Sequence, residues 1–459
     1  MVSSLASNII LGLVVILMTL LRQNKSLQEW FVSNVEKLLS KKSNQTQEVN
    51  VSSPSLKLIR NKEPSSTYQP NFGKIISRIP TLFELKQNLI RLHEYRVRGE
   101  SYNTLLFQRA KQVDGISEDQ LRKLGYFTKL VKNNEGIREN AKIIDKIIEF
   151  TLMKLMHSNE GDRVFIEQIE KICREHGYEI KDDQLVQLNQ DSVFPIVLSR
   201  GSQNTVHEAL AHLCRDFSPY YSKERYPLQE FIIDRIRHHV VRPEAMNEKI
   251  LIVIPGAGVG GLSHCLASNF PHIQVDSIEL SALMYICNLF ALECKNDVKI
   301  RPFIQQYSGQ TVLDNQLRSL TADLSKLRQC SNLDSLWGDF TRYSPDAKDY
   351  DKIIICSAYF IDTAENVFDY LTSIEALRKY CKELHWINVG PLKYGTKPLV
   401  QFTGDELYRL RKIRGWRDLF ESYEVDYSEG LNGYLTDYES MYQGYYGLLK
   451  FHTVFEGLE

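Results

Sequence analysis

From Ile76 to about Val241 apolar residues recur at helical spacing. Leu82, Leu85, Leu89 and Leu92 form one stripe, and Ile143, Ile144, Ile147, Ile148 and Leu152 form another; such spacing marks helices that each bury one face. After Glu248 the texture changes. Short β-rich apolar runs appear at Ile250 to Ile254, Gln274 to Ile278, Lys352 to Cys356 and Leu384 to Val389, separated by helical stretches. Runs that are apolar on both faces and spaced by helices predict a parallel sheet covered on both sides. The expected class is therefore α/β, doubly wound, with a helical subdomain over residues 76–245 and a sheet domain over residues 246–459.

Ahead of the helices, Ile9 to Leu21 is an apolar run broken only by Gly12 and Thr19. A membrane helix wants ~20 apolar residues, so even counted from Leu5 the run is a marginal span. No basic residue precedes it and no small-x-small pattern follows, which argues against a cleaved signal peptide. Two readings of residues 1–22 stay open: a membrane anchor through residues 5–21, or an apolar helix that docks on the protein or on a partner. For an anchor, the basic residues Arg22, Lys25, Lys37, Lys41 and Lys42 keep the rest of the chain cytoplasmic. Residues 23–75 read as a linker, because Ser43 to Gln69 holds too few large apolar groups to offset chain entropy.

Charge narrows the partners. Lysine plus arginine number 56 against 57 acidic residues, so no global field draws nucleic acid or an anionic membrane, and charged recognition must be local. The eight cysteines are scattered, without a C-x-x-C pair or a histidine at metal-ligand spacing, so they read as reduced thiols and no metal site is expected.

The chemistry begins directly after the first strand, at Pro255-Gly256-Ala257-Gly258-Val259-Gly260-Gly261-Leu262. Glycines are needed where backbone turns sharply and approaches a ligand without a Cβ between them. Glu279 closes the next strand, where an acid can accept both ribose hydroxyls of a bound nucleoside. These two features fit NAD and S-adenosylmethionine equally, since both present an adenosine ribose. A third cue, Trp337-Gly338-Asp339-Phe340 ahead of the strand at Lys352, suits an adenine held by a carboxylate and a ring, though a G-D-F tripeptide alone is usually a loop.

Two further segments are more specific: Cys356-Ser357-Ala358-Tyr359-Phe360-Ile361-Asp362-Thr363-Ala364-Glu365-Asn366 and Trp386-Ile387-Asn388-Val389-Gly390-Pro391-Leu392. With the glycine turn, Gly338-Asp339-Phe340, Leu92-His93-Glu94-Tyr95-Arg96 and Arg215-Asp216-Phe217-Ser218 followed by Glu224-Arg225, residues from about 80 to 455 resemble the carnosine N-methyltransferase family. The resemblance implies a Rossmann-like class I methyltransferase sheet. It also implies transfer of the S-adenosylmethionine methyl group to an imidazole nitrogen of carnosine, yielding anserine, or of a related histidine-containing small molecule or peptide. Its cofactor positions fall on His212, Arg215, Gly256, Gly258, Glu279, Asp339, Phe340 and Ala358. A planar guanidinium at Arg215 suits the methionine carboxylate, and His212 stands where the family commonly has glutamine. Asp362 is the expected substrate residue, accepting the N–H of the imidazole nitrogen that is not methylated; the plainer alternative is a helix N-cap. Tyr445 and Tyr446 fall near a family tyrosine that touches substrate, or are aromatics of a last hairpin. The sequence departs from the family at Gly395, where the family has a histidine that contacts carnosine. A nicotinamide-dependent oxidoreductase and a membrane-tethered binding module without turnover are the rival classes.

Overall fold

The computed structural model describes residues 57–58, 82–156, 163–181, 184–188, 203–241, 248–395, 397–427 and 430–457. These belong to one compact unit, Asn50–Glu459. The apolar run at residues 5–21 and nearly all of the expected linker lie outside them. Among the described residues no helix is long and apolar enough to cross a membrane.

Helices dominate the first half: α1 (Leu82–Ala110), α2 (Gly115–Lys123), α3 (Tyr126–Met156), α4 (Arg163–Glu175), α5 (Asn204–Phe217) and α6 (Ser222–His239). Leu85, Leu89 and Leu92 of α1 and Ile144, Ile147, Ile148 and Leu152 of α3 are all buried, as stripes at that spacing require. One element departs from the helical expectation. Tyr178–Lys181 (β2) and Gln184–Gln187 (β3) pair as an antiparallel hairpin, in strands of four residues that a window sized for helices averages away.

The second half alternates strands and helices. The strands are β4 (Ile250–Pro255), β5 (Gln274–Glu279), β6 (Val298–Ile300), β7 (Leu320–Ala322), β8 (Leu333–Trp337), β9 (Tyr350–Ala358), β10 (Cys381–Gly390), β11 (Trp416–Glu424), β12 (Leu431–Gly433) and β13 (Tyr445–Phe455). The helices are α7 (Gly261–Asn269), α8 (Ala282–Glu293), α9 (Leu313–Leu317), α10 (Val367–Glu375) and α11 (Gly404–Ile413). With the short strand Lys57–Leu58 as β1, the main sheet runs β1-β8-β5-β4-β9-β10-β13-β11. It is parallel through β10 and antiparallel at β13 and β11.

Alternate residues of the central strands supply two cores. Leu251, Val253, Ile353 and Ile355 pack on one face with Leu371 and Ile374 of α10 and Leu407 of α11. Ile250, Ile252, Ile254, Ile354 and Cys356 pack on the other with Leu228, Ile232 and Ile236 of α6 and Leu266 of α7. Strand order reverses on either side of β4, so the crevice outside the carboxyl ends of β4 and β9 is a topological switch point, where open α/β sheets bind ligands. Ile355 is fully buried at the centre of this sheet. Ile355→Ala should cost about 2–5 kcal/mol through lost transfer energy and a residual cavity, seen as a lower urea midpoint at unchanged slope.

Candidate active site

The glycine turn lies at that crevice. Gly256 has φ +64°, and a Cβ there would sit 2.6 Å from the ring of Phe360; Gly258 has φ +57° with open space where its Cβ would be. Crowding and conformation thus exclude a side chain at the first position, and conformation alone at the second. Glu279 at the end of β5 fastens the turn. Its Oε2 accepts from the Gly258 N–H and its Oε1 from the Ser281 N–H, each at 2.7 Å. Burial pushes its carboxyl up to about 7, against the opposing pull of these backbone donors.

The last turn of α5 forms the facing wall. Asp216 Oδ2 accepts from the Gly261 N–H at 3.0 Å, so a carboxylate from another helix caps the N-terminus of α7. Arg215 is almost wholly enclosed, 3.3 Å from Asp216 and 3.6 Å from Glu224, yet its Nε makes no hydrogen bond. Burial works against its charge, but Asp216, the neighbouring phenols and Glu224 outweigh it and hold the guanidinium protonated. The group lies over the rings of Tyr434, at 4.7 Å, and Tyr359, at 5.4 Å. His212 Nε2 meets the Tyr434 hydroxyl at 3.2 Å, and burial lowers its pKa to about 4, so the ring is neutral near pH 7. Together with Gly256, Gly258 and Ala358, the residues His212, Arg215, Asp216, Tyr359 and Tyr434 line a cleft that is open to solvent.

A carboxylate far away in sequence sets the roof. Glu224 is fully buried and accepts from the backbone N–H groups of Leu435 and Thr436, each at 2.9 Å, and from the Tyr438 hydroxyl at 3.2 Å. These bonds fix the loop that carries Tyr434. Tyr359 has φ +52° and accepts from Asn432 Nδ2 at 3.2 Å, so a strained residue at the end of β9 is tied to the same loop.

The remaining residues expected to act extend from this cleft on two sides. Asp339 follows β8; its Oδ1 accepts from the backbone N–H and hydroxyl of Thr341, leaving Oδ2 without a partner among the described residues. Phe340 packs edge-on against Phe360. On the other side Asp362, 7% exposed, accepts from the Lys393 N–H at 2.8 Å, and Lys393 Nζ donates to the Tyr446 hydroxyl at 2.9 Å. Asp362 does not cap the following helix; Asn366 does, accepting from the Phe368 N–H. Tyr445 and Tyr446 are separated by the pleat of β13. Tyr446 lies 6.4 Å from the rings of Tyr359 and Tyr434, whereas Tyr445 packs on Tyr427 and donates to Gln443.

A family model for carnosine N-methyltransferase matches residues 192–457. The chain belongs to that family. It is accordingly an S-adenosylmethionine-dependent methyltransferase, and the dinucleotide reading of the glycine turn falls away. An uncharacterized protein of Saccharomyces cerevisiae is 78% identical over 456 residues, 99% of this chain and 100% of its own. The carnosine N-methyltransferase of Schizosaccharomyces pombe is 27% identical over 238 residues, 47% of this chain and 62% of that protein. The rat enzyme of the same name is 31% identical over 204 residues, 43% and 50% of the two chains. The match thus spans half to under two thirds of these two named relatives.

Tyr434, Glu224 and Asp216 had no role in the sequence reading. Glu224 and Asp216 stand in the motifs Glu224-Arg225 and Arg215-Asp216-Phe217-Ser218, but their partners lie in other elements. Tyr434 carries no local signal beyond a glycine before it.

One prediction concerns Glu279. Its folded pKa lies above the open-chain value of 4.5, so the folded protein holds this proton longer. Its contribution to stability is full below about pH 4.5 and is lost as pH rises through about 7, by about 3 kcal/mol. Without cofactor, Glu279→Gln should remove that part of the pH dependence. Denaturation midpoints of the two proteins that move in parallel from pH 4.5 to 8 would contradict it.

Proposed function

We propose that the enzyme methylates a ring nitrogen of an imidazole compound, carnosine or a related histidine-containing small molecule. The observation that carries this reading is Asp362: a buried carboxylate shortly after the cleft-lining Ala358 and Tyr359, anchored through one oxygen by a backbone N–H and not capping a helix.

The cleft residues fit S-adenosylmethionine on two structural grounds. Arg215 keeps a buried N–H without a partner, as a site for a carboxylate does. The positive-φ glycines leave open space at Gly258. We assign Arg215 and His212 to the amino-acid end, the Gly256–Gly258 backbone and Ala358 to the middle, Glu279 to the ribose, and Asp339 with Phe340 to the adenine. When bound, the cofactor supplies a methyl group on a sulfonium, which a neutral imidazole nitrogen can attack unaided.

The chain's task is then to orient the ring and stabilise the charge that develops on it. Asp362 accepts the N–H of the far nitrogen, fixing the tautomer and aiming the other lone pair at the methyl group. As the new C–N bond forms, positive charge grows on the ring against this carboxylate. Burial raises the Asp362 pKa above the usual carboxylate range, the Lys393 N–H opposing. The bare anion is therefore poorly solvated and gains more from the ring than an exposed carboxylate could.

Asp362→Asn keeps an oxygen for the Lys393 N–H and removes the charge. Turnover should fall ~100-fold or more, about 3 kcal/mol concentrated in the transition state, while S-adenosylhomocysteine affinity barely changes. Near-wild-type turnover would refute the role. Glu279→Ala should instead weaken cofactor binding by ~2 kcal/mol in calorimetry. We further propose that residues 5–21 tether a cytoplasmic catalytic domain to a membrane. Deleting residues 1–40 should then release active enzyme from the membrane fraction, and intact protein found soluble without detergent would sink the tether.

A further inference from the structure

The loop that carries Tyr434 is held from two sides. Glu224 holds one, and residues that do not line the cleft hold the other. Asp437, 7% exposed, pairs through Oδ1 with Arg318 and accepts through Oδ2 from Gln310 Nε2 at 2.7 Å. Arg318 Nη2 also donates to the Tyr220 hydroxyl at 3.0 Å, and that oxygen accepts from the Tyr438 N–H at 2.9 Å. Further along, the Met441 N–H donates to the Gly309 carbonyl at 2.7 Å.

The guanidinium is itself anchored away from the loop. Its Nη1 donates to the Asn315 carbonyl at 2.7 Å, and its central carbon lies 4.0 Å from the centroid of the Phe303 ring. A planar fork held in this way fixes the direction as well as the charge that it presents to Asp437. The segment behind it is bound in turn to the helical subdomain. The Asn140 side chain of α3 accepts from the Arg301 N–H at 2.8 Å and donates to the Arg301 carbonyl at 3.0 Å, and the Tyr307 hydroxyl donates to Asn103 of α1 at 2.6 Å. Where the two fastenings of the loop meet, Leu435 has φ +55°, a conformation that a residue other than glycine keeps only when its surroundings over-determine it.

We propose that the Arg318–Asp437 pair is a positioning pair for the cofactor. It sets where Tyr434 lies over Arg215 and against His212, and so the width of the pocket for the cofactor's amino-acid end. The inference rests on the assignment of Arg215 and His212 to that end. Because neither Arg318 nor Asp437 lines the cleft while Tyr434 does, their effect on cofactor affinity passes through Tyr434.

The test is a double-mutant cycle on the full chain, read as calorimetric affinity for S-adenosylhomocysteine at a temperature where near-ultraviolet circular dichroism shows each variant folded. Arg318→Met and Asp437→Asn should each weaken binding ~10-fold, the scale on which residues that touch no ligand shift a distant site. Arg318→Lys, which keeps the charge but not the fork, should lose less. In a Tyr434→Ala background the same substitutions should have little further effect, because the group that they position is gone. A pair that only stabilises the fold gives the same loss in both backgrounds, and that result overturns the proposal, as does wild-type affinity in folded Arg318→Met or Asp437→Asn. Asp437→Asn keeps the size of the side chain and carries the cycle if Arg318→Met does not fold. Undiminished affinity in Tyr434→Ala itself fails the cleft assignment, and the role of the pair with it.

Discussion

A guanidinium removed from water must find its compensation within reach, and the site is arranged around that demand at Arg215. Two carboxylates lie close to it, and each has a second duty: Asp216 caps the helix after the glycine turn, and Glu224 holds the loop from Leu435 to Tyr438. Two phenol rings cover its faces, one from the end of β9 and one from that loop. Helix α5, the glycine turn, β9 and the loop thus converge on one buried charge. Removing that charge would leave Glu224 buried with its hydrogen-bond donors but without a counter-charge, which is the costly way to break such a group.

The acids of the site show the complementary condition. Glu279 and Asp362 are both buried enough for their pKa values to rise, and both receive only backbone donors. Neither forms an ion pair with a cation among the described residues. Carboxylates left in this state favour partners that bring N–H or O–H donors, such as a ribose or an imidazole. Arg215 has counter-charges within the chain yet keeps one buried N–H without a hydrogen bond, while the two acids receive only backbone donors, and this asymmetry gives the cleft a direction along which an amino-acid nucleoside can lie.

Strands β4, β9 and β10 were legible because burial on both faces leaves apolar runs, and the strand–turn–acid sequence located the crevice. The closing loop was not. Glu224 and Leu435 are 211 residues apart, and nothing in the composition around Tyr434 marks a contact at that range. Tyr445 and Tyr446 could not be told apart either, because adjacent strand residues face opposite ways and only the register with β10 and β12 decides which one looks into the site. The helix-capping alternative for Asp362 was separable only through the start of α10 at Val367, which gives the cap to Asn366 and frees Asp362.

Strand β13 follows β11 in the chain but lies between β10 and β11 in the sheet. During synthesis β11 therefore emerges before the strand that must flank it, and the nine residues Trp416–Glu424 have no neighbour to pair with until the last of these strands is made. The loop carrying Tyr434 and the residue Tyr446 arrive in the same interval. A nascent chain that has already formed the glycine turn and the parallel half of the sheet still lacks the roof of its cleft, so capacity to retain cofactor should appear late and all at once, as β13 inserts.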